Sequence, residues 1–289
     1  MSFLQNLFTL KHRVDVRSPD VSKEPALSAQ MLSLAARLEQ LSPHLAQRLL
    51  EQLCTGLAAE TTEAERYFVA EALATAVYPK YKFSEYARIY LEDEAFLTYY
   101  QKSMDVGNWH SLDRKYTLNQ LLKLVRSLNG EIAECGVYKG ASAYLMCEML
   151  QGSGRSVHLF DSFEGLSDPD HRDGTYWVKG ALPMPEQVVH ETLAGFSHYR
   201  TYKGWIPDRF AEVANLPFSF LHIDVDLYQP TLASLTFFYP RIEKRGVILM
   251  DDYGFSTCPG AKRAADEFFA DKPEEIVMLS TGQAFVVKR

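Results

Sequence analysis

The sequence lacks the features that mark secreted, membrane-spanning and disulfide-rich proteins. It has four cysteines in 289 residues and no C-x-x-C pair, too few for a disulfide framework. No apolar run is long enough to span the ~30 Å hydrocarbon core of a bilayer, and the first ten residues do not show the basic and apolar segments of a signal peptide. We therefore expect a cytoplasmic protein with reduced thiols and no membrane segment.

The chain also has little positive charge. Its 30 lysines and arginines are outnumbered by 37 aspartates and glutamates, and the longest basic run is Lys11-His12-Arg13. Proteins that bind nucleic acid usually carry a basic stripe that neutralises phosphates. We therefore expect no nucleic-acid partner.

Three regions differ in their sequence patterns. Residues 1–27 contain two prolines and are interpreted as an N-terminal tail. Residues 28–110 carry apolar residues at three- and four-residue steps, which predicts a helical region. Its Leu-rich stripes offer more apolar surface than one short bundle needs, which favours a homodimer. Residues 111–289 instead alternate between short apolar runs and helical patterns, and are interpreted as a separate domain.

This alternation predicts seven strands and five helices. The strands are Ile132–Cys135, Val157–Phe160, Tyr199–Tyr202, Phe218–Ile223, Val247–Met250, Ile276–Leu279 and Ala284–Val287. The helices cover about 116–128, 140–150, 186–195, 230–243 and 260–270. Helical crossovers imply a parallel sheet covered on both faces, and the short link before the last strand implies an antiparallel hairpin. The predicted fold class is therefore α/β, a doubly wound, mostly parallel seven-stranded sheet with an antiparallel C-terminal hairpin.

The segment Glu134–Ser142, between the first strand and the next helix, has two glycines spaced G-x-x-x-G. Glycines let the backbone approach a ligand closely, and a helix N-terminus presents unpaired N–H groups. Glu134 would repel a pyrophosphate but could bind an ammonium group, and the G-x-G-x-x-G spacing of dinucleotide sites is missing. The segment favours S-adenosylmethionine over NAD. A plain glycine turn beside a strand-end glutamate is the alternative.

A second acidic residue, Asp161, ends the second predicted strand. A carboxylate at this position can accept hydrogen bonds from both ribose hydroxyls of a nucleoside. The alternative is that Asp161 caps a turn.

Four aspartates follow two strands that should be neighbours in this fold. Asp224 and Asp226 follow the fourth strand, while Asp251 and Asp252 follow the fifth. Close carboxylates raise one another's pKa and oppose folding unless a cation intervenes, and all-oxygen ligation is typical of Mg²⁺. Strand periodicity would put Asp224 and Asp226 on the same side. The pattern predicts a magnesium site, with four solvated strand-end aspartates as the alternative, and His222 is interpreted as a core histidine.

Five sequence blocks resemble the macrocin-O-methyltransferase family of S-adenosylmethionine-dependent enzymes. They are Ala133–Gly140, Leu159–Leu166, Tyr202–Trp205, His222–Tyr228 and Asp251–Gly254, and they occur in the family's order. The resemblance implies a class I, Rossmann-like methyltransferase domain that requires Mg²⁺. It also implies methylation of a hydroxyl, which in characterised members belongs to a sugar on a natural product.

The same resemblance implies roles for individual residues. Asp226 would be the general base, and the metal ligands would be Asp224, Asp251 and Asp252. The cofactor would be bound by Glu134, Gly136, Tyr138, Gly140, Ser142, Asp161, Ser162, Lys203 and Trp205. Within this set, Glu134 would face the methionine ammonium group and Asp161 the ribose.

Several alternatives stay open for the reaction and its acceptor. A methyltransferase of an aromatic diol would use the same metal chemistry, and only the resemblance favours a sugar as the small-molecule acceptor. A nicotinamide-dependent oxidoreductase is disfavoured by the missing glycine, and a scaffold without catalysis would be expected to lose its aspartates. In the long loop Gly165–Pro185, Tyr176 and Trp177 could line an acceptor pocket, with Tyr228, or simply hold the loop down.

Overall fold

A computed structural model describes residues 89–103 and 111–289, with a few single positions between 51 and 74. The predicted tail, residues 1–27, lies outside the described residues. So does most of the predicted helical region 28–110, of which one described helix, residues 94–103, agrees with the prediction.

Residues Ala95–Arg289 form one compact unit, and Met1–Glu94 form another. Every residue of the site described below belongs to the unit Ala95–Arg289. The domain boundary predicted at residue 110 stays a prediction. Among the helices that the structure describes, none has the length and apolar character needed to cross a membrane.

A seven-stranded sheet organises the larger unit. Its strands are β1 (Glu131–Cys135), β2 (Val157–Asp161), β3 (Tyr199–Lys203), β4 (Phe218–Ile223), β5 (Ile242–Met250), β6 (Val277–Met278) and β7 (Ala284–Val287). The strand order is β3-β2-β1-β4-β5-β7-β6. Strands β1 to β5 pair in parallel, and β7 is antiparallel to both β5 and β6. The predicted fold class is confirmed, and the order reverses between β1 and β4.

Helices cover both faces of this sheet. They are α1 (Glu94–Ser103), α2 (Leu112–Leu122), α3 (Ala141–Leu150), α4 (Glu186–Thr192), α5 (Tyr228–Phe238) and α6 (Pro259–Phe269). Apolar residues of α1 to α4 pack against one face around Ile132 and Leu159. Those of α5 and α6 pack against the other around Ala133 and Phe160. Strand β4 is buried at every position, as expected of a strand covered on both faces.

Two elements begin four or more residues earlier than predicted. Helix α2 starts at Leu112 rather than near 116 because Ser111 caps it, its side chain accepting a hydrogen bond from the Arg114 backbone N–H at 3.3 Å. Strand β5 starts at Ile242 rather than Val247. Its polar residues 243–245, the last two of them exposed, suggest a loop, yet the Arg245 backbone N–H donates to the carbonyl oxygen of Lys288 at 2.7 Å.

Candidate active site

A cavity of about 520 Å³ lies at the carboxyl ends of the parallel strands. Much of its wall comes from residues shortly after β1, β2, β4 and β5: Gly136, Val137, Tyr138, Ser162, Asp224, Val225, Asp226 and Asp252. Open α/β sheets bind ligands at this edge, beside the point where strand order reverses. Here that point lies between β1 and β4, so the cavity occupies the position expected for a ligand site.

Three residues other than glycine have left-handed backbone conformations at this edge. Tyr138, Phe163 and Asp226 follow β1, β2 and β4 with φ values of +50°, +56° and +59°. Such conformations are uncommon for side-chain-bearing residues and cluster at active sites, where the surrounding structure must hold them. Their position after three neighbouring strands marks the cavity edge as a functional surface.

The structure brings most of the predicted site residues to this cavity. Those that line it are Gly136, Tyr138, Asp161, Ser162, Trp205, Asp224, Asp226 and Asp252. Those that lie outside the lining are Glu134, Gly140, Ser142, Lys203 and Asp251. The residues outside the lining are either buried behind the cavity wall or in contact with other parts of the protein.

Three of these residues have clear structural partners. Gly140 precedes α3 in the left-handed conformation, with φ +82°, and its backbone N–H donates to the carbonyl oxygen of Val137 at 2.9 Å. The hydroxyl of Ser142 accepts a hydrogen bond from the ammonium group of the buried Lys115 at 2.5 Å. The carbonyl oxygen of Lys203 accepts one from Arg209 Nη1 at 2.7 Å, and the Lys203 residue is exposed. Their predicted contacts with a cofactor stay predictions.

Gly136 occupies a position in the site at which a larger residue does not fit. Its φ is +83°, and a Cβ atom added there would lie 1.7 Å from the carbonyl oxygen of Asp224. The turn after β1 and the loop after β4 are therefore in direct backbone contact across the switch point. This contact brings the glycine turn and the first aspartate loop together.

We expect Gly136→Ala to destabilise the fold far more than Gly152→Ala. Gly152 has a similar φ of +73° but no atom within 4 Å of an added Cβ, so its substitution measures the left-handed conformation alone, about 1–2 kcal/mol. The overlap at Gly136 should add at least ~2 kcal/mol. Urea unfolding of both variants measures the difference, and equal losses would contradict the close backbone contact.

Asp161 holds the turn after β1 in place. One carboxylate oxygen, Oδ2, accepts from the backbone N–H groups of Val137 and Tyr138 at 2.7 and 3.3 Å, and Oδ1 accepts from Phe163 at 2.7 Å. The capping alternative is thus realised in the structure. A carboxylate offers about four acceptor positions, and Asp161 also lines the cavity, so one position remains for a ligand hydroxyl.

Glu134 lies two residues before Gly136 and is 1% exposed. Its Oε1 lies 3.0 Å from His222 Nδ1, while its Oε2 is buried and has no hydrogen-bond partner among the described residues. Burial raises the pKa of this carboxyl, and the hydrogen bond with His222 opposes the rise. A buried carboxylate oxygen without a partner is costly, and a bound cation would relieve that cost.

The four aspartates do meet at one edge, but in an arrangement that differs from the prediction. Strand β4 ends at Ile223, so the alternation argument for Asp224 and Asp226 was wrong, because both residues lie in the loop beyond the strand. The left-handed turn at Asp226 instead lets its backbone N–H donate to Asp252 Oδ2 at 2.9 Å. In addition, Asp226 Oδ1 accepts from the thiol of Cys258 at 3.3 Å.

Burial and mutual repulsion shape the ionisation of this cluster. Burial raises the pKa of Asp224, and the charge of Asp251 adds to the rise. The same effects, burial first and then Asp224, raise the pKa of Asp226 to about 7. Burial and the charge of Asp226 raise the pKa of Asp252 well above its usual range. Three carboxyls that resist ionisation next to a cavity are a donor set that a divalent cation would stabilise.

Among the described residues, two groups of side chains have ligand atoms close enough to share a metal ion. One consists of His222, Asp224 and Asp251, and the other of Asp226, Asp252 and Cys258, with the ligand atoms of each group within 4.8 Å of one another. The three predicted ligands are therefore divided between the two groups. Asp224 and Asp252 line the cavity, and Asp251 does not.

Asp251 is engaged by three donors that the sequence analysis did not identify. Its Oδ2 pairs with the guanidinium group of Arg114, and its Oδ1 lies 2.6 Å from Gln283 Nε2 and 3.3 Å from His222 Nε2. Burial acts to raise the pKa of Asp251, but the charge of Arg114 and the hydrogen bond from His222 outweigh it and lower the pKa below its usual range. Arg114 itself lines the cavity.

Without a bound metal ion, we expect the protein to lose stability as pH rises from about 4 to 9. Asp226 keeps its proton in the folded state up to a pKa of about 7, whereas the unfolded chain releases it near 3.8, so stability falls across that interval. Hydrogen bonds with Asp251 and Glu134 outweigh burial and raise the pKa of His222 from 6.5 to about 9, which extends the fall. The lowered pKa of Asp251 acts only below 3.8.

The matched variant for this pH dependence is Asp226→Asn, which carries no titratable proton. It should match the wild type at pH 4 and be more stable at pH 8, by up to about 4 kcal/mol at 1.4 kcal/mol per pKa unit. Thermal unfolding in EDTA from pH 4.5 to 8.5 measures this. Parallel curves for the two proteins would show that Asp226 does not titrate as described.

The long loop after β2 is fastened at several points. Asp173 Oδ1 accepts from the Tyr228 backbone N–H at 2.6 Å, and Trp177 Nε1 donates to Cys258 Sγ at 3.3 Å. Tyr176 and Trp177 line the cavity, as one alternative predicted. Tyr228 does not, because its ring lies 3.6 Å from the Arg172 guanidinium carbon and its hydroxyl donates to Glu267 at 2.5 Å.

Sheet order, glycine turn and ligand cavity together define a class I, Rossmann-like methyltransferase fold. The solved structure of the O-methyltransferase NovP shares this fold with a TM-score of 0.54 and 25% identity, over 63% of this chain and 83% of that chain. A sequence model of the family described as Macrocin-O-methyltransferase (TylF) matches residues 72–278. The chain belongs to the macrocin-O-methyltransferase family, and the resemblance found in the sequence is confirmed.

Two curated relatives are each 28% identical to this chain over the aligned residues. Demethyldecarbamoylnovobiocin O-methyltransferase of Streptomyces niveus is 28% identical over 166 residues, 52% of this chain and 63% of the relative. The 8-demethyl-8-(2,3-dimethoxy-alpha-L-rhamnosyl)-tetracenomycin-C 4'-O-methyltransferase of Streptomyces olivaceus is 28% identical over 155 residues, 48% of this chain and 58% of the relative. The chain therefore spans less than two thirds of the length of either relative.

Proposed function

We propose that the protein is an S-adenosylmethionine-dependent, Mg²⁺-dependent O-methyltransferase that acts on a hydroxyl of a small molecule, a sugar on a natural product or glycan. The observation that carries the proposal is that the glycine turn after β1 and three carboxylates after β4 and β5 line one and the same cavity. Membership of the family and the names of the relatives support it. The two curated relatives are named as O-methyltransferases of a novobiocin compound and of a rhamnosyl-tetracenomycin compound.

The cofactor site proposed here uses the residues around the turn after β1. The partnerless Oε2 of Glu134 suits the ammonium group of a methionine moiety, and the remaining acceptor position of Asp161 suits a ribose hydroxyl. Gly136 would let the cofactor approach the backbone closely, and Trp205 offers an aromatic face at the cavity wall. S-adenosylmethionine, when bound, would supply a methyl group on a positively charged sulfur.

The magnesium site proposed here is the aspartate edge. Asp224, Asp251 and Asp252 would hold the ion, and the raised pKa of the two that line the cavity fits a donor set in need of a cation. When bound, Mg²⁺ would supply positive charge that lowers the pKa of an acceptor hydroxyl.

The protein's own groups would then position the acceptor and take up its proton. Methyl transfer to the acceptor oxygen would leave S-adenosylhomocysteine, and the acceptor hydroxyl would have to release its proton. Asp226 Oδ1 or Oδ2 would take the hydroxyl proton, since this carboxylate lines the cavity. The walls formed by Trp177, Leu182 and Phe255 would exclude water and orient the acceptor.

The support for a sugar as the acceptor is the aromatic wall of the cavity, which is less direct than the support for the reaction class. Aromatic walls, Tyr176, Trp177 and Phe255 among them, suit the face of a sugar ring. They would suit an aromatic diol as well, which stays the second candidate because the metal chemistry is the same. The predicted homodimer and the cytoplasmic location belong to this proposal as further expectations.

Calorimetric titration tests the proposed reaction class. The purified protein is titrated with S-adenosylmethionine, S-adenosylhomocysteine and NAD, each with and without Mg²⁺. We expect micromolar binding of the two adenosyl ligands and no binding of NAD. Binding of NAD instead would support an oxidoreductase, and absence of any binding would support a scaffold without catalysis.

A further inference from the structure

The imidazole of His222 lies between two carboxylates to which the proposed function gives different tasks. His222 Nδ1 is 3.0 Å from Glu134 Oε1, and His222 Nε2 is 3.3 Å from Asp251 Oδ1. The side chains of all three residues are at most 1% exposed. One ring therefore contacts both the proposed ammonium-binding carboxylate and a proposed metal ligand.

The sheet itself fixes this arrangement. Glu134 on β1 and His222 on β4 are register partners, and His222 is in turn the partner of Leu249 on β5, two residues before Asp251. Neighbouring residues of paired strands point to the same face. The register of the three central strands therefore places the His222 ring between the two carboxylates.

Each carboxylate depends on the ring for its orientation. At Glu134, the contact to His222 occupies Oε1 and leaves Oε2 without a partner. At Asp251, His222 and Gln283 both contact Oδ1, so that Oδ2 is the oxygen turned to the cation Arg114. In both cases His222 contacts one oxygen only. The other oxygen is without a partner at Glu134 and is paired with Arg114 at Asp251.

We propose that His222 is a positioning residue that orients Glu134 for the cofactor ammonium group and Asp251 for the divalent cation. This inference rests on the proposed function and goes beyond it by assigning one residue to both sites. The earlier interpretation of His222 as a core histidine gives it no partner-specific task. A positioning role and a purely structural role predict different results when a substitution of His222 keeps the position of one ring nitrogen and removes the other.

Two substitutions separate the two ring nitrogens. In His222→Asn the side-chain amide can replace Nδ1 and keep the contact to Glu134, but it is too short to reach Asp251. In His222→Gln the amide can replace Nε2 and keep the contact to Asp251, while the contact to Glu134 is lost. The probes are S-adenosylhomocysteine for the cofactor site and Mn²⁺ for the cation site, measured by calorimetry and by electron paramagnetic resonance.

The expected result is an opposite pattern in the two variants. His222→Gln should bind S-adenosylhomocysteine at least ~10-fold more weakly than the wild type and Mn²⁺ almost normally, while His222→Asn should show the reverse. Equal losses of both affinities in both variants, or no loss in either, would overturn the inference. If the wild type itself binds no S-adenosylhomocysteine, the proposed function fails, and this inference falls with it.

A second measurement needs no folded variant, because it uses the wild-type chain. Long-range ¹⁵N–¹H NMR of the imidazoles reports Nδ1 and Nε2 of each histidine separately. His158 is buried as well, so the His222 pair is assigned through its connection to the backbone resonances of residue 222. S-adenosylhomocysteine should shift mainly Nδ1, and Mg²⁺ mainly Nε2. Absence of both shifts in a protein that binds both probes would refute the positioning role.

Discussion

Replacing Asp226 by Asn is expected to lower kcat by roughly 10²–10⁴-fold, the usual contribution of a general base. Affinity for S-adenosylhomocysteine should change little, because none of the hydrogen bonds of Asp161 and Glu134 involves Asp226. Asparagine tolerates the left-handed conformation that Asp226 adopts, with φ +59°. The substitution therefore removes the proton acceptor and preserves the turn. Single-turnover methylation of an identified acceptor measures the effect.

The control for this substitution is Asp208→Asn, which removes the charge of an exposed aspartate that does not line the cavity. It should leave kcat unchanged within about twofold. If Asp226→Asn retained full activity, the proton would have to be taken by another group or by water, and Asp226 would lose its role as the general base. A parallel loss of cofactor affinity would indicate instead that the loop after β4 had been disturbed.

The sheet could be predicted from the sequence because its signals are local. Strands such as Phe218–Ile223 and Ala284–Val287 are short apolar runs, and their bounds in the structure match the predicted ones. Parallel neighbours also bring their carboxyl ends to one edge. For that reason, four aspartates far apart in the chain could be predicted to lie close together.

The partners of those aspartates could not be predicted in the same way. Arg114 and Asp251 are 137 positions apart, and Glu134 and His222 are 88 apart. A charged residue on an amphipathic helix is normally solvated, so nothing in the sequence around Arg114 indicates a buried partner. The cap at Ser111 could have placed the start of α2 correctly, but not the direction of Arg114.

The position of Asp226 shows where strand alternation stops being a guide to side-chain direction. Alternation holds inside a strand, and β4 ends at Ile223. Beyond it, a single left-handed residue redirects the chain, and the hydrogen bond from the Asp226 backbone to Asp252 fixes the loop. The sequence identified the residues of this edge, whereas the backbone turn decides how they face the cavity.

Replacing Asp251 by Ala is expected to lower the free energy of unfolding by about 3–5 kcal/mol, the usual cost of leaving one partner of a buried ion pair unpaired. Arg114, His222 and Gln283 would all lose the carboxylate that they contact. Stabilisation by Mg²⁺ should disappear as well, since Asp251 is a proposed ligand. Thermal unfolding with Mg²⁺ and with EDTA measures both effects in one experiment.

The control for this variant is Asp271→Ala, which removes a side chain that is 84% exposed from its ion pair with Lys272. Exposed pairs contribute 1 kcal/mol or less, so both the stability and the Mg²⁺ response should be nearly unchanged. If Asp251→Ala lost stability but kept its full response to Mg²⁺, Asp251 would be a partner for Arg114 and not a metal ligand.

Arg114→Met also distinguishes whether Asp251 is a metal ligand or only a partner for Arg114, because it changes the partner instead of the carboxylate. It removes the guanidinium group from Asp251 Oδ2 and leaves the contacts of Oδ1 in place. If the metal ion and Arg114 compete for the same oxygen, Mg²⁺ should stabilise Arg114→Met more than the wild type, because no cation has to be displaced. An equal response in both proteins would mean that the ion binds without Asp251 Oδ2, through the carboxylates that line the cavity.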